Sequence, residues 1–379
     1  MFRCFIFIVC LYALSNTLYA SPDYCTGHQC IAVVDAGSTG SRLHVYAYDL
    51  DKTNSPININ ELWSKKVNPG FATIDNNQST VDAYLSSLFS GAPVQHLPVY
   101  FYATAGMRLL PQAKQKAYYQ GLQQWFSGHS EWQFKEGKTI TGTEEALFDW
   151  LSVNYHLGTL QSVTNQSIGV IDIGGASVQI AFPVQKNSGE HAGSQISVDL
   201  YGQHFNLFVH SFLGLGQNEM AHQFLNSASC FATHYPLPDG TAGQGNAAAC
   251  SQEVSALING VHGVNNTVQP ALAANPVNSW YAIGGIVNLA TSKPFHFQNN
   301  QLTNQALLQQ ADSSVCHEQW ENLSNQFPND EFIDAYCLLP AYYSALMVDG
   351  YGFAAEQAVN YIATEQNLDW TKGVVLHHW

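Results

Sequence analysis

Basic residues are scarce in this sequence. Its 379 residues include 13 Lys and Arg against 28 Asp and Glu, which gives a formal net charge of −15. An acidic surface repels the phosphate backbone of DNA and RNA, so a basic groove for nucleic acid is excluded. A free nucleotide would be repelled for the same reason. A site for a phosphorylated small molecule would therefore need backbone N–H groups, a few well-placed cations and a metal ion.

Motifs of several common enzyme classes are absent. The 15 histidines form no zinc-protease pattern, and the chain has no Cys-x-x-Cys pair, no Gly-x-x-x-x-Gly-Lys-Ser/Thr loop and no Gly-x-Ser-x-Gly elbow. These absences argue against structural zinc, a Walker-type nucleotide loop and the nucleophile of an α/β-hydrolase.

Long apolar runs are also missing, except near the start of the chain. There, Arg3 precedes an apolar run from Cys4 to about Leu14, and Ala20 offers a small residue at a cleavage position. The run is shorter than the roughly 18–20 residues that a membrane span needs, although an anchor is the alternative. We expect residues 1–20 to be a cleaved signal peptide and the mature protein to be soluble and secreted, whether periplasmic or extracellular.

Cysteine usage fits an exported protein. The sequence has 8 cysteines, of which Cys4 and Cys10 lie in the expected signal peptide. An even number of remaining cysteines predicts disulfides, and several connectivities are possible. Pairing of nearest neighbours is the simplest, and its bridges are Cys25–Cys30, Cys230–Cys250 and Cys316–Cys337.

One pattern of residues occurs twice. An apolar strand, an Asp, one spacer, a Gly and a turn of small residues begin with Asp35 and return with Asp172, about one domain length later. The chain is long enough for two domains. We therefore predict a duplicated lobe with one Asp-Gly turn in each copy. The stretch from Lys186 to Gly263, rich in Gly, Ser, Asn, Gln and Ala, is expected to decorate the second lobe, with helices resuming near Tyr342.

Apolar runs and their spacing locate elements around these turns. The predicted strands are Ile31–Val34, Leu43–Tyr48, Leu97–Ala103, Ile168–Ile171 and Val178–Phe182. The predicted helices are Gln112–Phe126 and Glu144–Leu157.

The two Asp-Gly turns suit phosphate and a metal ion. A glycine- and hydroxyl-rich turn after a strand points several backbone N–H groups at one place, and glycine allows a phosphate to approach closely. An Asp at a strand end supplies oxygen to a hard cation. One such turn alone is more simply a hairpin with an Asx turn. Two matching turns one domain apart favour a binding site.

Acidic and basic residues near these turns have two interpretations each. Thr141 and Glu144 fit a capping box. The next residue, Glu145, either belongs to the same helix start or faces the cleft and takes a proton from an attacking water. Arg108 follows a strand end, where it could neutralise a phosphoryl group or form a surface salt bridge.

Three further polar or aromatic residues remain equally open. Asn154 and Gln179 are polar residues in apolar elements, and they could orient a water molecule or cap local backbone groups. Trp370 could line the cleft or pack in the core.

Five segments taken in order resemble the motifs of the apyrase family, the ecto-nucleoside triphosphate diphosphohydrolases. These segments are Val34–Arg42, Ala103–Arg108, Gly142–Tyr155, Ile171–Gln179 and Asp369–Gly373. The resemblance implies an α/β fold shared with actin, Hsp70 and sugar kinases, in which two RNase-H-like lobes hold the nucleotide in the cleft between them. The implied lobes are 21–160 and 161–354, with the segment from about 355 to 379 returning to lobe I.

The resemblance also implies a role for particular residues. Glu145 would be the general base that activates water. Residues steering the terminal phosphate and the water would be Arg108, Asn154 and Gln179. Residues holding the phosphates would be Ser38, Thr39, Gly40, Gly175, Ala176 and Ser177. Residues around the water shell of a Mg²⁺ or Ca²⁺ ion would be Asp35, Asp172, Thr104 and Trp370. By position, the residues touching the base would be Asn288 and Tyr336.

Two positions depart from the family pattern. Ala146 stands where the family usually has Gly, which should alter helix packing slightly. Lys372 replaces a Leu in the last motif and would place a cation either near the metal or in solvent.

The implied reaction is attack of water on the terminal phosphate of metal-bound nucleoside tri- and diphosphates such as ATP, ADP, GTP and UTP, ending at the monophosphate. A nucleoside diphosphatase with little triphosphatase activity, a non-catalytic nucleotide-binding protein and a kinase-like enzyme are the alternatives. No nucleic acid, membrane span or obligate protein partner is expected.

Overall fold

The protein is represented by a computed structural model that describes residues 25–93, 96–162, 168–185, 194–363 and 368–377. The expected signal peptide, residues 1–20, lies outside the described residues. The strands are β1 Gln29–Ala36, β2 Ser41–Leu50, β3 Pro56–Val67, β4 Pro98–Ala103, β5 Gln133–Thr139, β6 Ile168–Ile173, β7 Ser177–Pro183, β8 Gln195–Leu200, β9 Gln203–Leu213, β10 Ser279–Gly284, β11 Gln301–Thr303 and β12 Ala358–Tyr361.

Twelve helices lie between and after these strands in the described residues. They are α1 Gln78–Phe89, α2 Ala105–Arg108, α3 Gln112–Ser127, α4 Gly142–His156, α5 Gln217–Gln223, α6 Ala247–Gly260, α7 Val264–Ala274, α8 Gly285–Thr291, α9 Asn304–Ala311, α10 Trp320–Gln326, α11 Leu338–Ala345 and α12 Thr371–His377. Short 3₁₀ segments occur at Phe71–Thr73, Ala228–Cys230 and Ile333–Tyr336, and π-type turns at Asp312–Cys316 and Leu346–Gly350.

The two sheets repeat one topology. The first has the order β3-β2-β1-β4-β5, and the second contains the order β9-β7-β6-β10-β12 with β8 and β11 added at its edges. In both, the central strand is antiparallel to the next strand of the chain and parallel to the one on its other side. The duplicated α/β fold of two RNase-H-like lobes is therefore confirmed, as are the predicted strands and helices, whose ends differ by a few residues.

Strand β1 is buried on both faces. Ala32 and Val34 belong to a core covered by the helices of the first lobe, whereas Ile31 and Val33 face a second core between the two sheets. A strand buried on both faces reads as a continuous apolar run, which is why this segment was recognisable in the sequence.

Helices α4 and α12 fill the space between the two sheets. Helix α4 contacts β6, β7 and β9 of the second sheet, while α12 contacts α4 and also β1 and β3 of the first. The predicted capping box starts α4, because Thr141 Oγ1 accepts from the Glu144 amide at 3.1 Å and the Glu144 carboxylate accepts from the Thr141 amide at 2.7 Å. The lobes thus share one core across their junction.

The chain crosses between the two lobes more often than the predicted lobe boundaries imply. Helix α4, which lies before residue 160, packs on the second sheet. Strand β12 pairs with β10 in the second sheet, and α12 then returns to the first. The boundaries at 160 and 354 remain predictions.

The expectation that Lys186 to Gly263 only decorates the second lobe was wrong. Strand β9 pairs with β7 along its length and is an integral part of the second sheet. Its buried Leu207, Phe208 and Val209 are flanked by polar residues, so the average composition of the stretch concealed them. Helices also resume well before Tyr342, with α5 to α10 preceding it.

Three disulfides join the cysteines as predicted. The bridges are Cys25–Cys30, Cys230–Cys250 and Cys316–Cys337. Among the helices of the described residues, none has the length and apolar character needed to cross a membrane.

Candidate active site

The two Asp-Gly turns meet across the lobe junction. One connects β1 to β2 and the other connects β6 to β7, so each follows the central strand of its sheet. A Cβ placed on Gly175 would lie 2.3 Å from Ser38 Oγ and 3.4 Å from Thr39 Cγ2. The two turns therefore lie in contact, and the structure brings Ser38, Thr39 and Gly175 together.

Several backbone N–H groups of the two turns donate no hydrogen bond within the described residues. In the part of the chain that the structure describes, no acceptor receives the N–H groups of Ser38, Thr39, Gly175 or Ala176. The carbonyl groups are used instead: Gly174 accepts from Gln217 and Gly175 accepts from Asn218, both at 2.9 Å. Unused N–H groups on two facing turns form a concavity suited to an anion such as phosphate.

A buried polar cluster lies beside these turns. Glu145 Oε2 accepts from Arg108 Nη2 at 2.8 Å and from Gln179 Nε2 at 3.0 Å. Both donors also approach the Ser177 hydroxyl, at 3.1 Å and 2.7 Å. Ser211 of β9 completes the cluster, with its hydroxyl 3.0 Å from Gln179 Nε2. The structure thus joins Glu145, Arg108, Ser177 and Gln179, which come from three of the five sequence motifs.

The position of Glu145 is set by the first turn of α4. A Cβ on Gly142 would lie 2.3 Å from Ser211 Cβ, so the helix start packs directly against β9. Burial raises the pKa of the Glu145 carboxyl, and the neighbouring Arg108 guanidinium opposes this rise. A carboxyl with a raised pKa is a better proton acceptor than a solvated one, which suits general base catalysis.

Asp35 and Asp172 end the central strands of the two sheets. Burial raises the pKa of Asp35 to about 8, with Asp369 and Glu145 adding to the rise and His44 opposing it. Burial also raises the pKa of Asp172 to about 7, reinforced by the carboxylate of Glu145. A Cβ on Gly284 would lie 2.3 Å from Asp172 Oδ1, so this glycine, whose φ is +76°, makes room for the carboxylate.

These carboxylates suit a hydrated divalent cation. Asp35 Oδ1 is buried and has no hydrogen-bond partner among the described residues. Within the same ranges, no three His, Cys, Asp or Glu side chains are grouped closely enough to bind a metal ion directly. Buried carboxylates without partners fit a hard cation that keeps its waters, because those waters donate to the carboxylate oxygens.

Thr104 and Trp370 lie near these carboxylates in different ways. The Thr104 amide donates to the Ala36 carbonyl at 3.2 Å, which places Thr104 next to the end of β1. Trp370 is buried, with its indole stacked near the rings of Tyr102 and Phe148. Its packing in the core between the sheets is the alternative that the sequence left open.

Asn154 is not brought to the cluster. It lies nine residues after Glu145 on α4, which corresponds to about 13 Å along the helix axis. Its amide donates to the Trp150 carbonyl at 2.9 Å, and its carbonyl oxygen accepts from Thr159 Oγ1 at 2.7 Å. Asn154 therefore caps local groups at the far end of α4, and the expectation that it steers the phosphate is not supported by this position.

Asn288 and Tyr336 are neighbours in the second lobe. Asn288 is exposed on α8, and its carbonyl accepts from Ser292 Oγ at 2.7 Å. Ser292 Oγ in turn lies 2.8 Å from Tyr336 Oη. The Tyr336 ring is mostly buried and packs edge-on against Phe295. Contact of either residue with a base remains a prediction.

Both departures from the family pattern lie between the sheets. Ala146 is fully buried in the shared core. Lys372 is partly buried, and burial lowers its pKa although the carboxylates of Glu61 and Asp369 oppose the change. Glu61 and Asp369 are therefore the carboxylates that interact with its ammonium group, and a position near a metal ion remains a prediction.

Sequence reasoning missed several residues of the site. Asp149 lies one helical turn after Glu145, and this i, i+4 spacing within an apolar helix was the available signal. Asp369 belongs to a recognised motif but had no role assigned. Ser211 on β9 gave no signal, because its strand was not predicted. A Cβ on Gly40 would lie 3.0 Å from Lys66 Cε, so Lys66 is a cation beside the first turn.

Known proteins are similar to this chain over most of its length. The profile of the GDA1/CD39 (nucleoside phosphatase) family matches residues 26–239 and 238–379. Ectonucleoside triphosphate diphosphohydrolase 1 of Bos taurus is 26% identical over 449 residues, covering 99% of this chain and 85% of the relative. A guanosine-diphosphatase of Schizosaccharomyces pombe is 31% identical over 218 residues, covering 53% of this chain and 39% of the relative.

Solved structures share the fold. A nucleoside triphosphate hydrolase from Neospora caninum superposes with a TM-score of 0.61 at 15% sequence identity, covering 92% of each chain. At this identity the likeness concerns the fold alone, and it includes both lobes.

Proposed function

The chain belongs to the GDA1/CD39 (nucleoside phosphatase) family, and from this premise we propose that it converts nucleoside tri- and diphosphates to monophosphates. It is a phosphoanhydride hydrolase of nucleoside phosphates, as its relatives are. The range of substrates, the general base and the metal ion are the finer parts of the proposal.

The observation that carries the proposal is the position of Glu145. Its carboxylate is held by Arg108 and Gln179 directly beside Ser177, the first residue of β7 after the second turn. A water molecule between Glu145 and a phosphate on the turns could give a proton to Glu145 while its oxygen attacks phosphorus. The bond from phosphorus to the bridging oxygen then breaks, and the remaining nucleotide leaves with that oxygen.

The other residues position groups and balance charge. The free N–H groups of Ser38, Thr39, Gly175 and Ala176 would hold the phosphate oxygens. Arg108 would neutralise charge on the transferred phosphoryl group. Asp35 and Asp172 would hold a Mg²⁺ or Ca²⁺ ion through its waters. When bound, that ion supplies positive charge to the phosphate oxygens.

One alternative is favoured by a particular observation. One relative is a guanosine-diphosphatase, so preference for diphosphates is the nearer alternative. A nucleotide-binding protein without turnover would use the same turns but would not need Glu145.

We also propose that the protein is secreted. Its three disulfides are compatible with an oxidising compartment.

The test is phosphate release with product identification for ATP, ADP, GDP and UDP, in Mg²⁺ and then in chelator. Glu145→Gln should lower kcat by roughly 10²–10⁴, because the amide cannot accept the proton. Glu144→Gln is the matched control: Gln preserves the capping box, and activity should stay within about twofold.

The products separate the alternatives. Conversion of ATP to AMP supports the full reaction, and turnover restricted to diphosphates supports the narrower one. If Glu145→Gln retains wild-type activity, Glu145 is not the base. A folded wild type that binds nucleotides but releases no phosphate from any of them is a binding protein.

A further inference from the structure

Asp149 is a buried carboxylate that the reaction described above does not use. It lies on α4 one turn after Glu145, and only 1% of the residue is exposed. Neither Asp149 Oδ1 nor Oδ2 has a hydrogen-bond partner in the part of the chain that the structure describes. Two unpartnered oxygens on one fully buried side chain require either a proton or a partner from outside the chain.

The groups that act most strongly on Asp149 among the described residues are other carboxylates. After burial itself, the strongest electrostatic influences on it are the carboxylates of Asp172, Glu145, Asp369 and Asp35. None of these can donate a hydrogen bond while ionised. The unsatisfied oxygens therefore face a region that already concentrates negative charge.

Two of these carboxylates, those of Asp35 and Asp172, belong to the strands that lead into the two Asp-Gly turns. Asp35 and Asp172 end the central strands of the two sheets, and Asp35 Oδ1 is also buried and unpartnered. A hydrated divalent cation would supply both missing components, because its charge offsets the carboxylates and its waters donate hydrogen bonds. Asp149, on the helix that also carries Glu145, interacts electrostatically with both Asp35 and Asp172.

We propose that Asp149 is a positioning residue for the divalent cation, accepting hydrogen bonds from the waters of the ion together with Asp35 and Asp172. This inference rests on the proposed function, in which such an ion accompanies the nucleotide. Its consequence is that metal affinity and the orientation of Glu145 are linked through a single helix. The competing arrangement is a proton held between Asp149 and Asp172, which would make Asp149 a structural residue.

The test measures the affinity of the protein for Mn²⁺ directly. Mn²⁺ would be titrated into the full chain without nucleotide, because the phosphates of a nucleotide would bind the ion themselves, and the unbound Mn²⁺ would be followed by electron paramagnetic resonance. Asp149→Asn has nearly the same shape but removes the charge, and it should weaken Mn²⁺ binding by roughly 10–100-fold. Asp239→Asn is the control, because it makes the same charge change at an exposed turn.

Thermal unfolding shows whether weaker Mn²⁺ binding by Asp149→Asn is caused by a less stable fold. In chelator, Asp149→Asn should melt no lower than the wild type, because it removes one of several clustered negative charges. Added Mn²⁺ should then raise the melting temperature of the wild type and of Asp239→Asn by more than that of Asp149→Asn. A variant that melts lower in chelator contradicts the proposal and supports the shared proton.

The outcomes distinguish this inference from the proposed function. Unchanged Mn²⁺ affinity in Asp149→Asn, beside a wild type that binds Mn²⁺ and hydrolyses nucleotides, overturns the role of Asp149 alone. A wild type that hydrolyses nucleotides in chelator and binds no Mn²⁺ overturns both this inference and the metal in the proposed function.

Discussion

His44 forms the counter-charge for one of the site carboxylates. Its Nε2 lies 3.0 Å from Asp369 Oδ2 and its Nδ1 lies 3.6 Å from Glu61 Oε2, and His44 is almost fully buried. Burial alone would lower the pKa of His44, but Asp369 and Glu61 outweigh it and raise that pKa to about 9. Burial raises the pKa of Asp369, but the His44 imidazolium and the Thr371 hydrogen bonds outweigh it and lower that pKa to about 2.

His44→Gln should therefore destabilise the protein in a pH-dependent way. The folded-state pKa of His44 lies above its ordinary 6.5, so its charge contributes fully below about pH 6.5 and the contribution is lost as pH rises through about 9. Breaking the buried pair should cost roughly 3–5 kcal/mol at pH 6 and clearly less at pH 10. Denaturant unfolding across this range measures the difference.

At low pH, the contribution of Asp369 to the stability changes with pH in the opposite direction to that of His44. The depressed pKa of Asp369 gives a contribution to the stability of the folded protein that is present above about pH 3.8 and is lost as pH falls through about 2.

His204→Gln is the control for His44→Gln, because its pair with Asp199 is exposed and should contribute little. A cost of His44→Gln that is constant from pH 6 to pH 10 would show that the histidine is not charged in the folded protein.

At the scale of elements, the junction between the lobes depends on how closely α12 approaches α4. A Cβ on Gly373 would lie 2.1 Å from the Phe148 carbonyl oxygen and 2.6 Å from its Cα. Both neighbours are backbone atoms of a buried helix and cannot move aside cheaply. Because Asp369 lies just before α12, this contact also positions the pair that His44 makes.

Gly373→Ala should destabilise the protein by about 1–3 kcal/mol, because the added methyl group forces α12 away from α4. Gly260→Ala is the matched control: it is also in a helix, and a Cβ there meets nothing within 4 Å. It should be neutral or slightly stabilising. Chemical denaturation of both variants measures this, and equal stabilities would mean that α12 adjusts freely.

The elements also show what the sequence could predict. The start of α4 was predictable because Thr141 and Glu144 form a local capping box. Strand β9 was not predicted, because its place depends on pairing with β7 across a long connection. For the same reason Ser211 was missed, whereas Gln179 and Ser177 were found within one repeated motif. The distance of Asn154 from Glu145 depends on the length of α4 between them, and its role in steering the phosphate remains a prediction.

At the scale of the whole molecule, negative charge is concentrated where an anionic substrate must bind. The chain carries a formal net charge of −15, and five carboxylates, carried by β1, β6, α4 and the residue two positions before α12, interact electrostatically at the junction. The folded protein can keep Asp35 and Asp172 ionised at neutral pH only at a cost, since their pKa values are raised to about 8 and about 7. Cation binding should remove part of that cost.

The stabilisation by Mg²⁺ should therefore grow with pH. A carboxyl with a raised pKa binds more protons folded than unfolded, so without metal the stability falls as pH rises from about 4 through about 8. A bound cation favours the ionised carboxylates and should flatten this fall, with each kcal/mol of stabilisation raising the melting temperature by roughly 2–4 °C. Thermal unfolding from pH 5 to pH 8, in chelator and in Mg²⁺, measures the two curves of melting temperature against pH.

The titration of His44 occurs in both curves and cancels in their difference. A separation between the curves that is as large at pH 5 as at pH 8 would mean that Mg²⁺ stabilises the fold without these carboxylates, and the cation would then have to be sought elsewhere than at the junction of the lobes.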